Sequence, residues 1–182
     1  MNKTLFHLIG YPAVGKYTVA QVLKKDVNGL LIDNHLINNV FFSVTDLNGT
    51  LPPQVFSYLT KTYDLLFEYL VSISPSRPLI MTNCLSDSEN DLSFVEKTRR
   101  FCQAAGYRYL PVKLLLSQEE NLRRLPLPDR KAKMKLTDET LFKSFCESFP
   151  LITQLPEGKN LDITGLPAEE TSAALQKLAR EN

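Results

Sequence analysis

The sequence predicts a single α/β domain in which a parallel sheet is covered by helices on both faces. Short apolar runs alternate along the chain with longer segments of helical period. The 182 residues suit one domain with a sizeable core, and neither a linker nor an internal repeat divides residues 1–182. Since parallel strands are joined by right-handed crossovers, this alternation implies a three-layer α/β/α arrangement.

Five segments have the length and composition of buried parallel strands. The run at 5–9 has four apolar residues out of five, and the run at 29–33 (GLLID) ends on Asp33. The other three predicted strands lie at 77–85, 107–116 and 160–164.

Six segments of helical period follow these strands. The segment 52–74 starts with a proline pair, which suits a first helical turn, and keeps apolar residues at three-and-four spacing. Gly106 supplies a stop signal, and Ser117 with Glu120 has the spacing of a capping box. The predicted helices occupy 16–25, 52–74, 91–106, the residues after Ser117, 137–149 and 167–180.

Composition is that of an ordinary globular protein, with 43% apolar residues, 23% charged residues and a net charge of +1. This balance gives no global reason to expect nucleic acid or an anionic membrane as a partner. No apolar run is long enough to span a bilayer, and the N-terminus does not favour a signal peptide. Cys84, Cys102 and Cys146 lack disulfide-framework or zinc-ligand spacing, so we expect reduced thiols in a cytoplasmic protein.

A phosphate-binding motif lies between the first predicted strand and the first predicted helix. Residues 10–16 (GYPAVGK) fit the Walker A pattern G-x-x-x-x-G-K in the structural context that the pattern requires. Glycines let backbone N–H groups surround a polyphosphate, the helix N-terminus adds positive charge, and Lys16 supplies an ammonium. The alternative is a strand–helix turn with an incidental surface lysine. The predicted nucleotide-binding residues are Gly10, Tyr11, Pro12, Ala13, Val14, Gly15, Lys16, Tyr17 and Thr18.

Tyr17 stands where this loop usually carries the Ser or Thr that ligates Mg²⁺. The sequence here resembles the nucleoside-monophosphate-kinase and shikimate-kinase-like branch of P-loop proteins. Adenylate kinases in that branch carry Gly-Lys-Gly-Thr, so the branch tolerates the missing hydroxyl when Mg²⁺ is held largely through water. By this resemblance Thr18 contacts phosphate, and Thr18 and Asp33 are the expected metal-side residues, in part through water.

Asp33 follows the second strand, and His35 follows two residues later. Ligands collect beyond the carboxyl ends of parallel strands, so Asp33 is expected in the same crevice as the loop. Shikimate and gluconate kinases, which the chain resembles here, place a D-x-D-like pair at this point. Asp33 matches the first acid, which lies near metal and acceptor hydroxyl, whereas His35 replaces the second and argues against shikimate as the substrate. The alternatives are a helix cap for Asp33 and a surface or capping role for His35.

The third strand ends in Thr82 and Asn83, which we expect to reach the crevice and hydrogen-bond an acceptor, whereas Cys84 is expected to pack. The acceptor pocket is predicted between 33–39, the 52–74 helix and 82–83. The segment 35–42 (HLINNVFF), with amides and aromatic rings, suits either a nucleoside or a polyol.

A basic segment follows the fourth strand, with six basic residues and one acid between Arg123 and Lys135. It resembles the lid (about 123–136) of small-molecule kinases, in which Arg124 would end the preceding helix and Arg130 would be the lid arginine. The alternatives are a solvated basic loop or a weak nucleic-acid patch. By the same resemblance, Asp162 and Thr164 border the adenine.

The sequence as a whole thus predicts a P-loop NTPase fold with a five-stranded parallel sheet in the kinase-like order 2-3-1-4-5. The predicted activity is ATP-dependent, Mg²⁺-assisted phosphoryl transfer to a small hydroxyl- or phosphate-bearing metabolite, with no nucleic acid involved. The predicted catalytic residues are Lys16, Asp33, Arg124 and Arg130. Two alternatives stay open: a nucleotide-binding NTPase or regulatory module without an acceptor, and a non-catalytic domain with a decayed site. Tyr17 and the absence of a Walker B acid are the features that favour the second.

Overall fold

Five parallel strands form one sheet in the order β2-β3-β1-β4-β5, which confirms the predicted order. The structure, a computed structural model, describes residues 3–45, 52–127 and 136–181. The strands are β1 (Thr4–Ile9), β2 (Leu30–Asp33), β3 (Leu79–Asn83), β4 (Arg108–Leu115) and β5 (Lys159–Asp162). The helices are α1 (Lys16–Asp26), α2 (Asn34–Phe42), α3 (Pro53–Ile73), α4 (Glu89–Ala105), α5 (Gln118–Arg124), α6 (Glu139–Ser148) and α7 (Ala168–Leu178).

The central strand β1 is fully buried, because helices pack on both faces of the sheet. Successive side chains of a strand point to opposite faces. Leu5 and Ile9 join a cluster with residues of α3 and α4, whereas Phe6 and Leu8 join a cluster with residues of α1 and α7. This arrangement is the predicted three-layer α/β/α fold.

Strand register brings the predicted site residues to one edge of the sheet. Ile9 lies opposite Asn83, and Asp33 lies opposite Thr82. The loop that starts at Gly10 therefore emerges beside the ends of β2 and β3, as expected for a ligand site at the carboxyl ends of parallel strands.

The strand β3 is shorter than the predicted 77–85. Its neighbours β1 and β2 end opposite Asn83 and Thr82, so Cys84 and Leu85 have no strand beside them. Helix α4 starts two residues before its predicted start, because the Ser88 hydroxyl accepts a hydrogen bond from the Asp91 N–H group and so caps the first turn.

Helix α2 was not predicted as an element of its own. Its sequence is rich in asparagine, which has a low helix propensity. Packing against α3 stabilises α2 despite this low propensity, because the rings of Phe41 and Tyr58 stack with centroids 6.2 Å apart.

Candidate active site

The loop between β1 and α1 has the backbone shape that its glycines allow. A Cβ on Gly10 would lie 2.9 Å from the carbonyl oxygen of Leu114, so only glycine lets the loop pass this close to β4. Gly15 has φ of 103°, in the left-handed region that glycine enters without strain. The loop therefore turns tightly before the first residue of α1.

The N-terminus of α1 is open to an anion. Gly15 provides no side-chain cap, and the first turn carries no acidic residue. The Lys16 ammonium donates hydrogen bonds to the carbonyl oxygens of Gly10 at 2.6 Å and Tyr11 at 2.8 Å, which holds it against the loop. The N–H groups of a helix N-terminus, the helix dipole and an ammonium together make a phosphate-binding arrangement.

A cleft of about 1120 Å³ opens over this loop, and its lining includes two groups of residues besides Cys84, Leu127 and residues in and flanking α6. We call the first the loop side; it comprises 12–19, Arg123, Arg124 and the segment 163–171 after β5. We call the second the α2 side; it comprises Asp33, Asn34, His35, Asn38, Phe42, Phe56 and Thr82. Asp33, Asn34, His35 and Asn38 of the predicted acceptor pocket and Phe56 of α3 thus line one cleft together with the phosphate loop.

Asp33 is held by Thr82 across β2 and β3. The Thr82 hydroxyl donates to Oδ1 of Asp33 at 2.6 Å and accepts from the N–H group of Asn34 at 3.3 Å. Asp33 is the residue before α2, but its side chain forms no capping hydrogen bond, so the helix-cap alternative does not describe its carboxylate. Within the described residues, Oδ2 accepts no hydrogen bond, which leaves it for a ligand in the cleft.

Thr82 and Asn83 point to opposite faces of the sheet, contrary to the expectation that both would reach the acceptor. Asn83 faces the α3–α4 layer, where its Oδ1 lies 2.9 Å from Nε2 of His7. The His7 Nδ1 atom lies 2.7 Å from the Tyr109 hydroxyl. Burial lowers the pKa of His7 to about 4, so the ring is neutral, and Asn83 completes a buried polar network.

The loop residue Tyr11 also turns its side chain away from the cleft. Its hydroxyl accepts a hydrogen bond from the Leu151 N–H group at 3.2 Å, and its ring packs edge-on against Phe142 and Phe145. The loop carbonyl of Tyr11 still contacts Lys16. The Tyr11 side chain therefore anchors the phosphate loop to α6, a role that the motif does not indicate.

Tyr17 and Thr18 both line the cleft at the first turn of α1, with Thr18 exposed and Tyr17 partly buried. Thr18 is therefore accessible to a ligand in the cleft. Metal contact by Thr18 or Asp33 stays a prediction. Across 3–45, 52–127 and 136–181, no cluster of three or more His, Cys, Asp or Glu side chains forms a metal site.

Arg124 contacts the phosphate loop directly. Its guanidinium donates to the carbonyl oxygen of Val14 at 3.3 Å and to Glu120 at 2.7 Å, and it lies 3.5 Å from where a Gly15 Cβ would stand. Hydrogen bonds from Arg123 and Arg124 lower the pKa of Glu120 to about 2, so the carboxylate stays charged at neutral pH. Arg130, the predicted lid arginine, lies outside the described residues.

Asn121 is a loop contact that the sequence reasoning missed. Its side chain is buried, and its amide donates to the carbonyl oxygen of Pro12 at 2.8 Å. One signal was available: Asn121 lies one helical turn after the Ser117 cap and three residues before Arg124, which places both side chains on one helix face.

Asp162 and Thr164 close the turn after β5 instead of lining the cleft. Asp162 accepts from the Thr164 N–H group at 2.8 Å, and the Thr164 hydroxyl accepts from the Ser117 N–H group at 2.9 Å. The residues of this segment that do line the cleft are mostly apolar: Ile163, Leu166, Pro167, Ala168 and Thr171.

Cys84 lies in the cleft wall as a thiol. Burial raises its pKa to about 11, although the charge of Lys16 acts in the opposite direction. A protonated thiol is a poor nucleophile, so this result supports the predicted packing role.

No helix in the described ranges combines the length and apolar character that crossing a bilayer requires.

Known proteins resemble this chain in structure but not detectably in sequence. No protein-family profile and no curated protein matches it. A solved structure of a candidate kinase from Chloroflexus aurantiacus matches with a TM-score of 0.65 and 19% identity over 100% of both chains. A sugar kinase from Janibacter sp. HTCC2649 matches with a TM-score of 0.61 and 13% identity over 97% of this chain and 95% of that one.

A third match adds a bound nucleotide. The APS kinase of Mycobacterium tuberculosis, solved with AMPPNP and APS, matches with a TM-score of 0.57 and 13% identity over 99% of both chains. At these identities the likeness concerns the fold. Together with the strand order and the loop geometry, it shows that this chain has the fold of the P-loop kinases.

Proposed function

We propose that this protein is an ATP-dependent phosphotransferase that acts on a small hydroxyl- or phosphate-bearing metabolite in the cytoplasm. One observation carries the proposal: a helix N-terminus with Lys16 and Arg124 shares a cleft with the buried carboxylate of Asp33. The helix N-terminus, Lys16 and Arg124 suit the binding of a polyphosphate. The carboxylate suits the binding of a hydroxyl that must lose its proton.

The ATP phosphates would lie on the loop side. Backbone N–H groups at the end of the loop and in the first turn of α1, together with the Lys16 ammonium, would hold the β- and γ-phosphates, with Lys16 exchanging its loop carbonyls for phosphate oxygens. Arg124, already at the loop, would stabilise charge on the transferred group. The apolar side chains of Ile163, Leu166, Pro167 and Ala168, which line the cleft after β5, suit the adenine, because its ring system is uncharged and flat.

The acceptor would lie on the α2 side, with its hydroxyl at Asp33. The acceptor oxygen forms a bond to the γ-phosphorus, the bond from that phosphorus to the ADP oxygen breaks, and the hydroxyl proton passes to Oδ2 of Asp33. Thr82 orients this carboxylate through Oδ1. His35 lines the α2 side and would contact the acceptor.

The residues present fit Mg²⁺ that is held mainly by nucleotide phosphates and water. Mg²⁺ is commonly bound by one or two protein oxygens plus substrate phosphates, and Asp33 and Thr18 can offer that number. When bound, the ion neutralises negative charge on the phosphates.

Acceptor-dependent ADP release tests the proposal. The purified chain is incubated with ATP and Mg²⁺ against sugars, polyols, nucleosides, nucleoside monophosphates and aminoglycosides. We expect ADP release that requires one acceptor class and falls about 10³-fold in Lys16→Ala. Lys24→Ala is the matched control, because Lys24 lies near the exposed C-terminal end of the same helix.

ATP turnover and binding measurements also distinguish the two alternative functions, an NTPase without an acceptor and a non-catalytic domain. Basal phosphate release that no acceptor increases would identify an NTPase or regulatory module. Absence of ATP binding by titration calorimetry would identify a domain whose site has decayed, whereas equal ATP affinity of wild type and Lys16→Ala would overturn the phosphate-loop assignment.

A further inference from the structure

The charge of the chain is divided unequally between the two sides of the cleft. Between Lys25 and Lys61 the sequence contains no lysine or arginine. This stretch forms β2, α2 and the start of α3, and it supplies every residue of the α2 side except Thr82. Among the described residues, the lysine and arginines that line the cleft are Lys16, Arg123 and Arg124, all on the loop side.

The α2 side presents amides, a carboxylate and aromatic rings. Asn34 and Asn38 can each donate and accept hydrogen bonds, and Asp33 accepts them. Phe42 and Phe56 contribute rings from two different helices, and 53% of Phe56 is exposed. The Phe41–Tyr58 stack fixes α2 against α3 and so sets the positions of both rings.

An anionic acceptor would be poorly bound here. Its phosphate or carboxylate would lie near the Asp33 carboxylate without a lysine or arginine partner from the surrounding 35-residue stretch, whereas proteins usually bind such groups with Arg or Lys. Like charges about 6 Å apart near a protein surface repel enough to weaken binding by about 10- to 100-fold.

We propose that the acceptor is a hydroxyl-bearing molecule that carries no phosphate or carboxylate and presents a ring to Phe42 and Phe56. The ring packs on the aromatic side chains, the Asn34 and Asn38 amides bind its polar edge, and one hydroxyl faces Asp33. Nucleosides and ring-bearing glycosides have this chemistry, whereas nucleoside monophosphates and sugar acids do not. This inference rests on the proposed phosphotransferase function and narrows its acceptor class.

Matched pairs of acceptors test the inference. ADP release and ligand-induced thermal shift are measured with uridine against UMP, adenosine against AMP, and a methyl glucoside against the methyl glucuronide, which keeps the ring and adds a carboxylate. Measurements are made at pH 8, where histidine side chains are ordinarily neutral. We expect kcat/KM for at least one uncharged member to exceed that of its anionic partner by about 10-fold or more.

The outcomes separate this inference from the function on which it rests. Equal or better turnover of the anionic members would overturn the inference while leaving the phosphotransferase in place. ATP binding without any acceptor-dependent ADP release would overturn the phosphotransferase, and the inference with it.

A charge-insertion variant gives an independent test. Asn38→Arg places a guanidinium in the cleft and should move preference toward the anionic member of each pair by about 10-fold or more. Leu36→Arg is the matched control, because Leu36 lies on α2 with 70% of its surface exposed and does not line the cleft. An equal shift in both variants, or none in Asn38→Arg, would contradict the placement of the acceptor beside α2.

Discussion

The two sides of the cleft differ in how their binding groups are held. On the loop side, the N–H groups and Lys16 lie within residues 10–18, and Lys16 bonds to carbonyls five and six residues before it. On the α2 side, Asp33 depends on Thr82, which is 49 residues away in sequence. Phe42 and Phe56 depend on packing between two helices. The phosphate loop within the loop side is therefore built by local sequence, whereas the α2 side exists only through tertiary contacts.

The largest effect should come from the carboxylate on the α2 side. Asp33→Asn keeps an acceptor for the Thr82 hydroxyl but cannot take a proton, so turnover should fall about 10²- to 10⁴-fold while ATP affinity stays within about 3-fold. Steady-state kinetics and titration calorimetry measure the two quantities. An equal loss of turnover and of ATP affinity would mean that Asp33 acts on the nucleotide. It would contradict the assignment of the nucleotide to the loop side and the acceptor to the α2 side.

The buried network of His7, Asn83 and Tyr109 should make the stability of the fold depend on pH. The pKa of His7 is lowered from its ordinary 6.5 to about 4, so the unfolded chain binds the proton more readily. Neutral His7 therefore contributes to the free energy of unfolding, and this contribution is fully present above pH 6.5. It is lost as the pH falls toward 4, and the loss reaches about 3 kcal/mol.

Urea unfolding from pH 7.5 to pH 4 measures this loss. His7→Gln removes the titrating group, so its free energy of unfolding should fall less over that interval than that of wild type. Equal slopes in the two proteins would show that His7 does not control acid sensitivity.

Arg124 and its neighbour test the loop side. Arg124→Ala removes a guanidinium that contacts the Val14 carbonyl, and turnover should fall about 10- to 100-fold. Arg123 is the natural control: it pairs with the same Glu120, but 73% of its side chain is exposed and no hydrogen bond to the loop is seen within the described residues. Arg123→Ala should change turnover less than about 3-fold. Equal losses would indicate that bulk positive charge matters more than contact with the loop.

The smallest effect should come from Tyr17. If backbone groups, water and Asp33 suffice to hold the Mg²⁺-nucleotide, Tyr17→Ser should leave its affinity within about 3-fold of wild type or improve it. Calorimetry with ATP and Mg²⁺ measures this. A loss greater than 10-fold would show that the tyrosine ring is part of the binding surface.

Sequence patterns predicted which segments form strands better than they predicted the residues at which those strands end. Strand β1 was predicted to within one residue, because a continuous apolar run is what a fully buried strand requires. Strand β3 was predicted too long, because Cys84 and Leu85 continue the apolar run although no strand lies beside them. Helix α2 was considered only as the helix that Asp33 would cap and not as one of the six predicted helices, because asparagines lower its propensity and the Phe41–Tyr58 contact that supports it joins distant segments.

The sequence by itself determined the fold class and the phosphate loop of the cleft. Strand–helix alternation and the spacing of Gly10, Gly15 and Lys16 are local properties, so they can be recognised without knowing which segments meet. Only the tertiary structure decided which residues complete the site. It directed Thr82 toward Asp33 and Asn83 toward His7, and it brought Asn121 and Arg124 against the loop, because the register of neighbouring strands and the packing of helices decide which distant side chains come into contact.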